Sequence, residues 1–224
     1  MNSYLDKVLA IASKDIATEL RTREVLSSMF VFAILVIVVF NFAFDLNVEN
    51  TEAVAPGVLW VAIAFAGMLG LNRSFITEKD RGCMEGLLLC PVDRSAIYLG
   101  KMAGNLLFML ATEAIVLPVF AAFFNVSVFS PRLLLVVFLG TLGFAAVGTL
   151  FSAVAVHTRT REVMMPILLL PVAVPVLVAA VKATGEILAT VPPPSEGPWM
   201  AVLIAFDVIF LAVAFLTFEY VFQE

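Results

Sequence analysis

Apolar positions recur in two distinct patterns along this chain. Between residues 3 and 20, Leu5, Val8, Leu9, Ala12, Ile16 and Leu20 fall three or four apart, while Asp6, Lys7, Ser13, Lys14 and Thr18 occupy much of the opposite side. That period predicts an amphipathic helix lying in a membrane interface. It is not a secretory signal, because Asp6, Lys7, Lys14, Asp15 and Glu19 interrupt any continuous apolar stretch. The second pattern is the long apolar run. Six occur, at about 25–44, 54–71, 96–124, 133–156, 163–181 and 198–218. Each is of the order needed for a helix to cross the hydrocarbon layer, roughly 30 Å thick. The pattern therefore predicts an all-α integral membrane protein, with six spans forming one transmembrane domain over residues 1–224.

Local signals refine these elements. Arg21, Arg23 and Glu24 end the amphipathic stretch, and Arg73 is expected to close the second span. Pro56 fits a first helical turn, where its missing N–H leaves no bond unmade. Asp93 is a candidate N-cap for the third span. In the fourth, Thr141, Ala145, Thr149 and Ala153 make a stripe of small residues four apart, which lets another helix approach closely in lipid. Pro166, Pro171 and Pro175 remove three backbone donors from the fifth and predict a kinked or broken helix. Trp199 and Tyr220 stand at the two ends of the sixth as interfacial anchors.

Composition strengthens the membrane assignment. Of 224 residues, 62% are hydrophobic and 14% charged, with mean hydropathy +1.06, whereas about a quarter of residues are charged in soluble domains. The alternating short segments of a membrane β-barrel are absent. Net charge is −5, which argues against a nucleic-acid partner. The bases are unevenly placed. Six spans bring both termini to one side, together with Lys7, Lys14, Arg21, Arg23, Arg73, Lys79, Arg81, Arg94, Lys101, Arg159 and Arg161, leaving only Arg132 and Lys182 on the other. Eleven bases against two predict that both termini are cytoplasmic.

The main concentration of mixed charge lies between Glu78 and Lys101, with acids at 78, 80, 85 and 93 and bases at 79, 81, 94 and 101. Within it Met84, Leu87 and Leu88 fall at i, i+3 and i+4, so a short amphipathic helix is expected between two spans, either a solvated loop or an element that docks into a partner. The chain shows no chemistry of its own. Gly100-Lys101 is followed by Met102 with no glycine-rich phosphate loop, no Ser, His and Asp set shares one side, and a single histidine excludes a multi-histidine metal site. Cys83 and Cys90, seven apart, match neither a redox pair nor a zinc spacing. No catalytic or metal residue and no directly bound cofactor is expected, and any ATP must be hydrolysed on another subunit. Glu113 and Asp207 stand out because each lies inside a span, where a charged carboxylate costs roughly 2.5–3.5 kcal/mol on insertion scales. Asn105 reads as interhelical glue, and His157 as a cap on the last carbonyls of the fourth span.

The run Glu78-Lys79-Asp80, Gly82, Glu85, Leu87-Leu88, Pro91, Arg94, Ile97 and Gly100-Lys101 resembles the coupling loop of ABC-2-type exporter permeases, with cysteine at 83 and 90 where that family usually has Ser or Thr. Within that superfamily the chain is similar to the CcmB permeases of cytochrome c maturation. The similarity is carried by Arg21-Thr22-Arg23-Glu24-Val25-Leu26, Ala55-Pro56-Gly57-Val58-Leu59-Trp60, the leucine-rich stretch from Gly86 to Pro91, and Pro166, Pro171 and Pro175-Val176-Leu177. The resemblance implies an ABC-2-type permease fold in the bacterial inner membrane, a partner ATPase like CcmA, and assembly with CcmC, CcmD and the haem chaperone CcmE, with haem in the wider complex. It implies ATPase coupling through Glu78, Arg81, Gly82, Met84, Glu85, Leu87, Leu88, Pro91 and Arg94. Cys90-Pro91 is then explained by the coupling pattern rather than by haem ligation. Two other readings are a general ABC-2 permease for a lipid, glycan or drug, and an ion-coupled secondary transporter using Glu113 and Asp207. The latter predicts matching broken helices in both halves, and no such symmetry is evident.

Overall fold

In the computed structural model, residues 4–44, 51–80, 82, 92–156, 158, 161–189 and 197–221 are described. They form seven helices: α1 (Tyr4–Thr22), α2 (Glu24–Ala43), α3 (Thr51–Asp80), α4 (Arg94–Phe124), α5 (Pro131–Ala155), α6 (Arg161–Leu188) and α7 (Trp199–Val221). Six of them, α2 to α7, are long and apolar enough to cross a membrane, and no strand occurs among the described residues. The protein is thus an all-α, multi-pass membrane protein.

Two helices form the centre. Within their apolar windows α3 and α5 bury 72% and 67% of residues, against 22% to 33% in the other spans. The sequence of α5 explains its position. Gly140, Thr141, Gly143, Ala145, Gly148, Thr149, Ser152 and Ala153 are all buried, and small side chains let neighbouring backbones approach where lipid supplies no hydrophobic drive. At Gly140 a Cβ would lie 2.8 Å from Cζ3 of Trp60, and at Gly148 it would strike Leu71, so α3 seats two large side chains in two notches of α5. Trp60 is completed by a 2.9 Å hydrogen bond from its indole N–H to the Thr184 hydroxyl of α6, and Ser152 donates to the Leu71 carbonyl at 2.7 Å. The stripe predicted at 141, 145, 149 and 153 is fully buried.

Three local signals take definite form. The helix that carries the second span runs past Arg73 to Asp80, while its apolar part ends near Phe75; Arg73 pairs with Glu24 at 2.9 Å. Asp93 occupies the N-cap position of α4 without a side-chain cap bond; its carbonyl accepts from Ala96 N at 2.9 Å instead. The three prolines do not break α6, which is continuous from Arg161 to Leu188. Met165, Leu169, Ala173, Val176 and Ala180 form its buried ridge, while Pro171 and Pro175 lie on the exposed side. Packing of the ridge against α3, α5 and α7 holds the helix together where backbone bonds are missing.

The amphipathic helix is present as α1, and only part of its apolar stripe packs on the protein. Ile11, Ala12 and Glu19 are buried against the bundle, whereas Leu5, Leu9 and Leu20 are 65%, 65% and 62% exposed. Arg23, with φ 54 in the left-handed region, makes the corner between α1 and α2. Its side chain does not cap α2; the Glu19 carboxylate does, accepting from Leu26 N at 2.8 Å. A carboxylate there also opposes the positive end of the helix dipole.

Candidate functional site

The candidate coupling segment leaves the bundle at the end of α3 and returns at the start of α4. Glu78 lies on the last turns of α3, Gly82 is exposed with φ +66, and Arg94 opens α4. Arg81, Met84, Glu85, Leu87, Leu88 and Pro91 fall outside the described residues, as do Cys83, Cys90 and His157. The structure therefore defines the two stems of the segment.

Both stems are firmly seated. Phe75 of α3 and Ile97 and Tyr98 of α4 are buried with Ala146 and Ala153 of α5 and Ala214 and Phe218 of α7, and Val92 packs against this cluster. The Phe218 ring lies 5.2 Å from that of Tyr98 and 6.4 Å from that of Phe75, in tilted geometries favoured by aromatic pairs. The Tyr98 hydroxyl donates to the Ala146 carbonyl at 3.1 Å. Both stems thus pack directly on α5 and α7.

The interfacial helix is clamped to the same stem. Tyr4 donates to Ser95 Oγ at 3.0 Å in the first turn of α4. About a turn and a half on, a Cβ at Gly100 would lie 2.7 Å from Ile11 Cβ and 3.0 Å from the Val8 carbonyl, so only glycine allows α1 to lie this close. Next comes an ion pair between Lys101 Nζ and Asp15 Oδ2 at 3.0 Å, with the two side chains 2% and 16% exposed. Lys101 also donates to the Ser74 carbonyl of α3 at 3.1 Å and lies 5.4 Å from the centroid of the Phe75 ring. One buried ammonium therefore joins α1, α3 and α4. Lys101 falls within the third span as well as among the cytoplasmic bases, but its partners are not visible in the sequence. Its burial was signalled by its place beyond Ile97 and Tyr98, inside an otherwise apolar run.

Deeper in the bundle, α4 faces α5 through two polar contacts. Asn105 donates to Thr149 Oγ1 at 2.9 Å, and Thr141 donates to Glu113 Oε1 at 2.6 Å. Glu113 Oε2 has no partner and the residue is 4% exposed. It borders a space of about 10 Å³ between α2, α3 and α4, lined also by Met29, Ala33, Gly67 and Met109, which is near the lower limit for one water. Asp207 of α7 is equally buried, with neither oxygen hydrogen-bonded, and packs against Gly143 of α5. The two carboxylates meet α5 from different helices and do not converge. Among the described residues no group of three or more His, Cys, Asp or Glu could hold a metal ion.

Comparison with known proteins adds a family. The model of the family described as CcmB protein matches residues 6–221. Among curated proteins, the chain is similar to Heme exporter protein B of Pseudomonas aeruginosa, 28% identical over 181 residues covering 80% of this chain and 81% of the relative. It is also similar to Heme exporter protein B of Bradyrhizobium diazoefficiens, 26% identical with 91% of each chain covered, and to that of Rhodobacter capsulatus, 24% identical over 75% of this chain and 78% of the relative.

Proposed function

Because the chain belongs to the CcmB family, we propose that it is the membrane permease subunit of an ABC transporter complex of cytochrome c maturation. In this reading it couples ATP hydrolysis on a separate, CcmA-like subunit to haem export or to release of the haem-loaded chaperone CcmE, in company with CcmC and CcmD. The chain itself contributes no catalytic group. The relatives' shared description as heme exporter proteins supports the haem side of this reading.

One observation carries the coupling role: both ends of the 78–95 coupling loop are rooted in buried contacts that reach three other elements. Phe75 and Tyr98 lead to α5 and α7, and Ser95, Gly100 and Lys101 lead to α1. When two ATPase subunits close on ATP, a docked segment moves with them, and the ends of α3 and α4 tilt with it. Because these ends are packed rather than loose, the tilt reaches the far surface instead of being absorbed locally. The excess of bases at this end supports a cytoplasmic orientation for it, and membership of the family supports the bacterial inner membrane as its location.

The test is Glu85→Lys and Leu88→Asp in cells dependent on this chain for cytochrome c maturation. Each is expected to leave membrane insertion intact and to uncouple ATP hydrolysis from release. Full maturation activity in both variants would remove the docking role. Purification through a tag on this chain is expected to recover an ATPase with CcmC-like and CcmD-like proteins. An ATPase recovered without any maturation partner would point instead to a general exporter.

A further inference from the structure

A cavity of about 220 Å³ opens where α1 turns into α2 and passes the end of α3 and the stem of α4. Six charged side chains line it: Lys14, Arg73 and Lys101 against Asp15, Glu19 and Glu24. Three charges of each sign give it no net charge. A simple anion there meets three carboxylates, and a simple cation meets three bases. A ligand carrying both charges a few bonds apart finds a partner for each.

Glu19 is the informative member. It is 5% exposed, and its Oε1 takes the Leu26 N–H at 2.8 Å, yet among the described residues no base pairs with its carboxylate. The acids beside it are matched: Asp15 with Lys101 at 3.0 Å and Glu24 with Arg73 at 2.9 Å. A buried carboxylate facing a cavity without a cation is a place for an ammonium group that donates N–H. Arg73 and Lys14, half-exposed and paired with Glu24 and Asp15, bring positive charge to the same lining.

The position of the cavity selects the source of such a ligand. Val25 and Phe108 add apolar lining, and the neighbouring Leu20 and Leu107 are 62% and 48% exposed. Polar lining thus meets apolar surface at the level of the interfacial helix, where headgroups sit. We propose that this cavity holds the headgroup of a zwitterionic phospholipid with a primary amine, its ammonium at Glu19 and its phosphate towards Arg73. A choline headgroup matches the charges but has no N–H to donate, so the site discriminates against it. The proposal does not depend on ATPase coupling or on haem.

The full chain, equilibrated in micelles with equal amounts of phosphatidylethanolamine, phosphatidylcholine and phosphatidylglycerol of identical acyl chains, is examined by native mass spectrometry. Retention of phosphatidylethanolamine about tenfold above phosphatidylcholine is expected. Glu19→Gln, which keeps an acceptor for Leu26 N–H, should remove that preference. Equal retention of the two lipids by the wild-type chain would overturn the proposal without recourse to any variant. So would stronger retention of phosphatidylglycerol, or an unchanged preference in Glu19→Gln. Displacement by an equal concentration of soluble O-phosphoethanolamine would overturn the lipid as source.

Discussion

Neutralising Asp15 should destabilise the protein more than removing its whole ion pair. In Asp15→Asn the Lys101 ammonium, 2% exposed, loses its counter-charge at 3.0 Å and keeps the Ser74 carbonyl at 3.1 Å. Breaking a buried pair by changing one partner costs about 3–5 kcal/mol. The lower end applies here, because the Asp15 side chain keeps 16% exposure and one carbonyl still accepts from the lysine. A loss of about 3 kcal/mol, at roughly 2–4 °C per kcal/mol for a chain of this size, lowers the midpoint of thermal unfolding in detergent by about 6–12 °C. Asp15→Leu combined with Lys101→Met removes both charges and should unfold within about 1 kcal/mol of the wild-type protein. Lys101→Met alone should fall between the two, since Asp15 can reach water. The measurement is a cycle of unfolding midpoints with the variants prepared alike. A shift below about 2 °C for Asp15→Asn would refute the reasoning, since it would mean that the cavity solvates the ammonium as well as the carboxylate does.

Gly140→Ala places a methyl 2.8 Å from a Trp60 ring atom that is held by Thr184, and overpacking of this kind should cost about 1–3 kcal/mol. Gly57→Ala, with nothing within 4 Å, should be neutral or stabilising by up to about 1 kcal/mol, so comparison of their unfolding midpoints separates notch filling from helix propensity. Thr141→Val removes the donor to Glu113 and should lose about 0.6–1.7 kcal/mol, whereas Thr112→Val, which breaks only a bond to its own helix at Phe108, should lose less. Glu186 accepts from Gly197 N and from the Trp199 indole at 3.0–3.2 Å, tying the end of α6 to the start of α7. Glu186→Leu should therefore cost about 1.5–3 kcal/mol, visible also as stronger acrylamide quenching of Trp199.

The spans were legible because a run of some twenty apolar residues has few alternatives to crossing a membrane. Their ends were not. Arg73 stands near the end of the apolar run, but the helix goes on to Asp80, because helix continuation follows backbone bonding rather than side-chain polarity. At the prolines of α6 the sequence displays the lost donors but not the ridge of Met165, Leu169, Ala173 and Val176 along which the helix stays continuous. In the stripe on α5 the spacing was readable, while the partners were not: nothing local says that Thr141 meets Glu113 and Thr149 meets Asn105. Glu19 was likewise visible only as an interruption of an apolar stretch. Its role at the start of α2 arises from the turn at Arg23, which a non-glycine residue in the left-handed region gives no reason to expect.

The pairs Asn105–Thr149 and Glu113–Thr141 lie eight residues apart on each of two antiparallel helices, so they share one alignment. Chain length between them is therefore not freely adjustable. One residue added between 105 and 113 rotates Glu113 by about 100° relative to Asn105 and moves it about 1.5 Å along the axis, so only one pair can survive. Added instead in the turn after Asn125, where Ser130 starts α5 afresh by capping Leu133 N, the same residue leaves both pairs opposite one another. Natural length variation in chains of this fold should accordingly collect in the turn and avoid the interval between the two pairs.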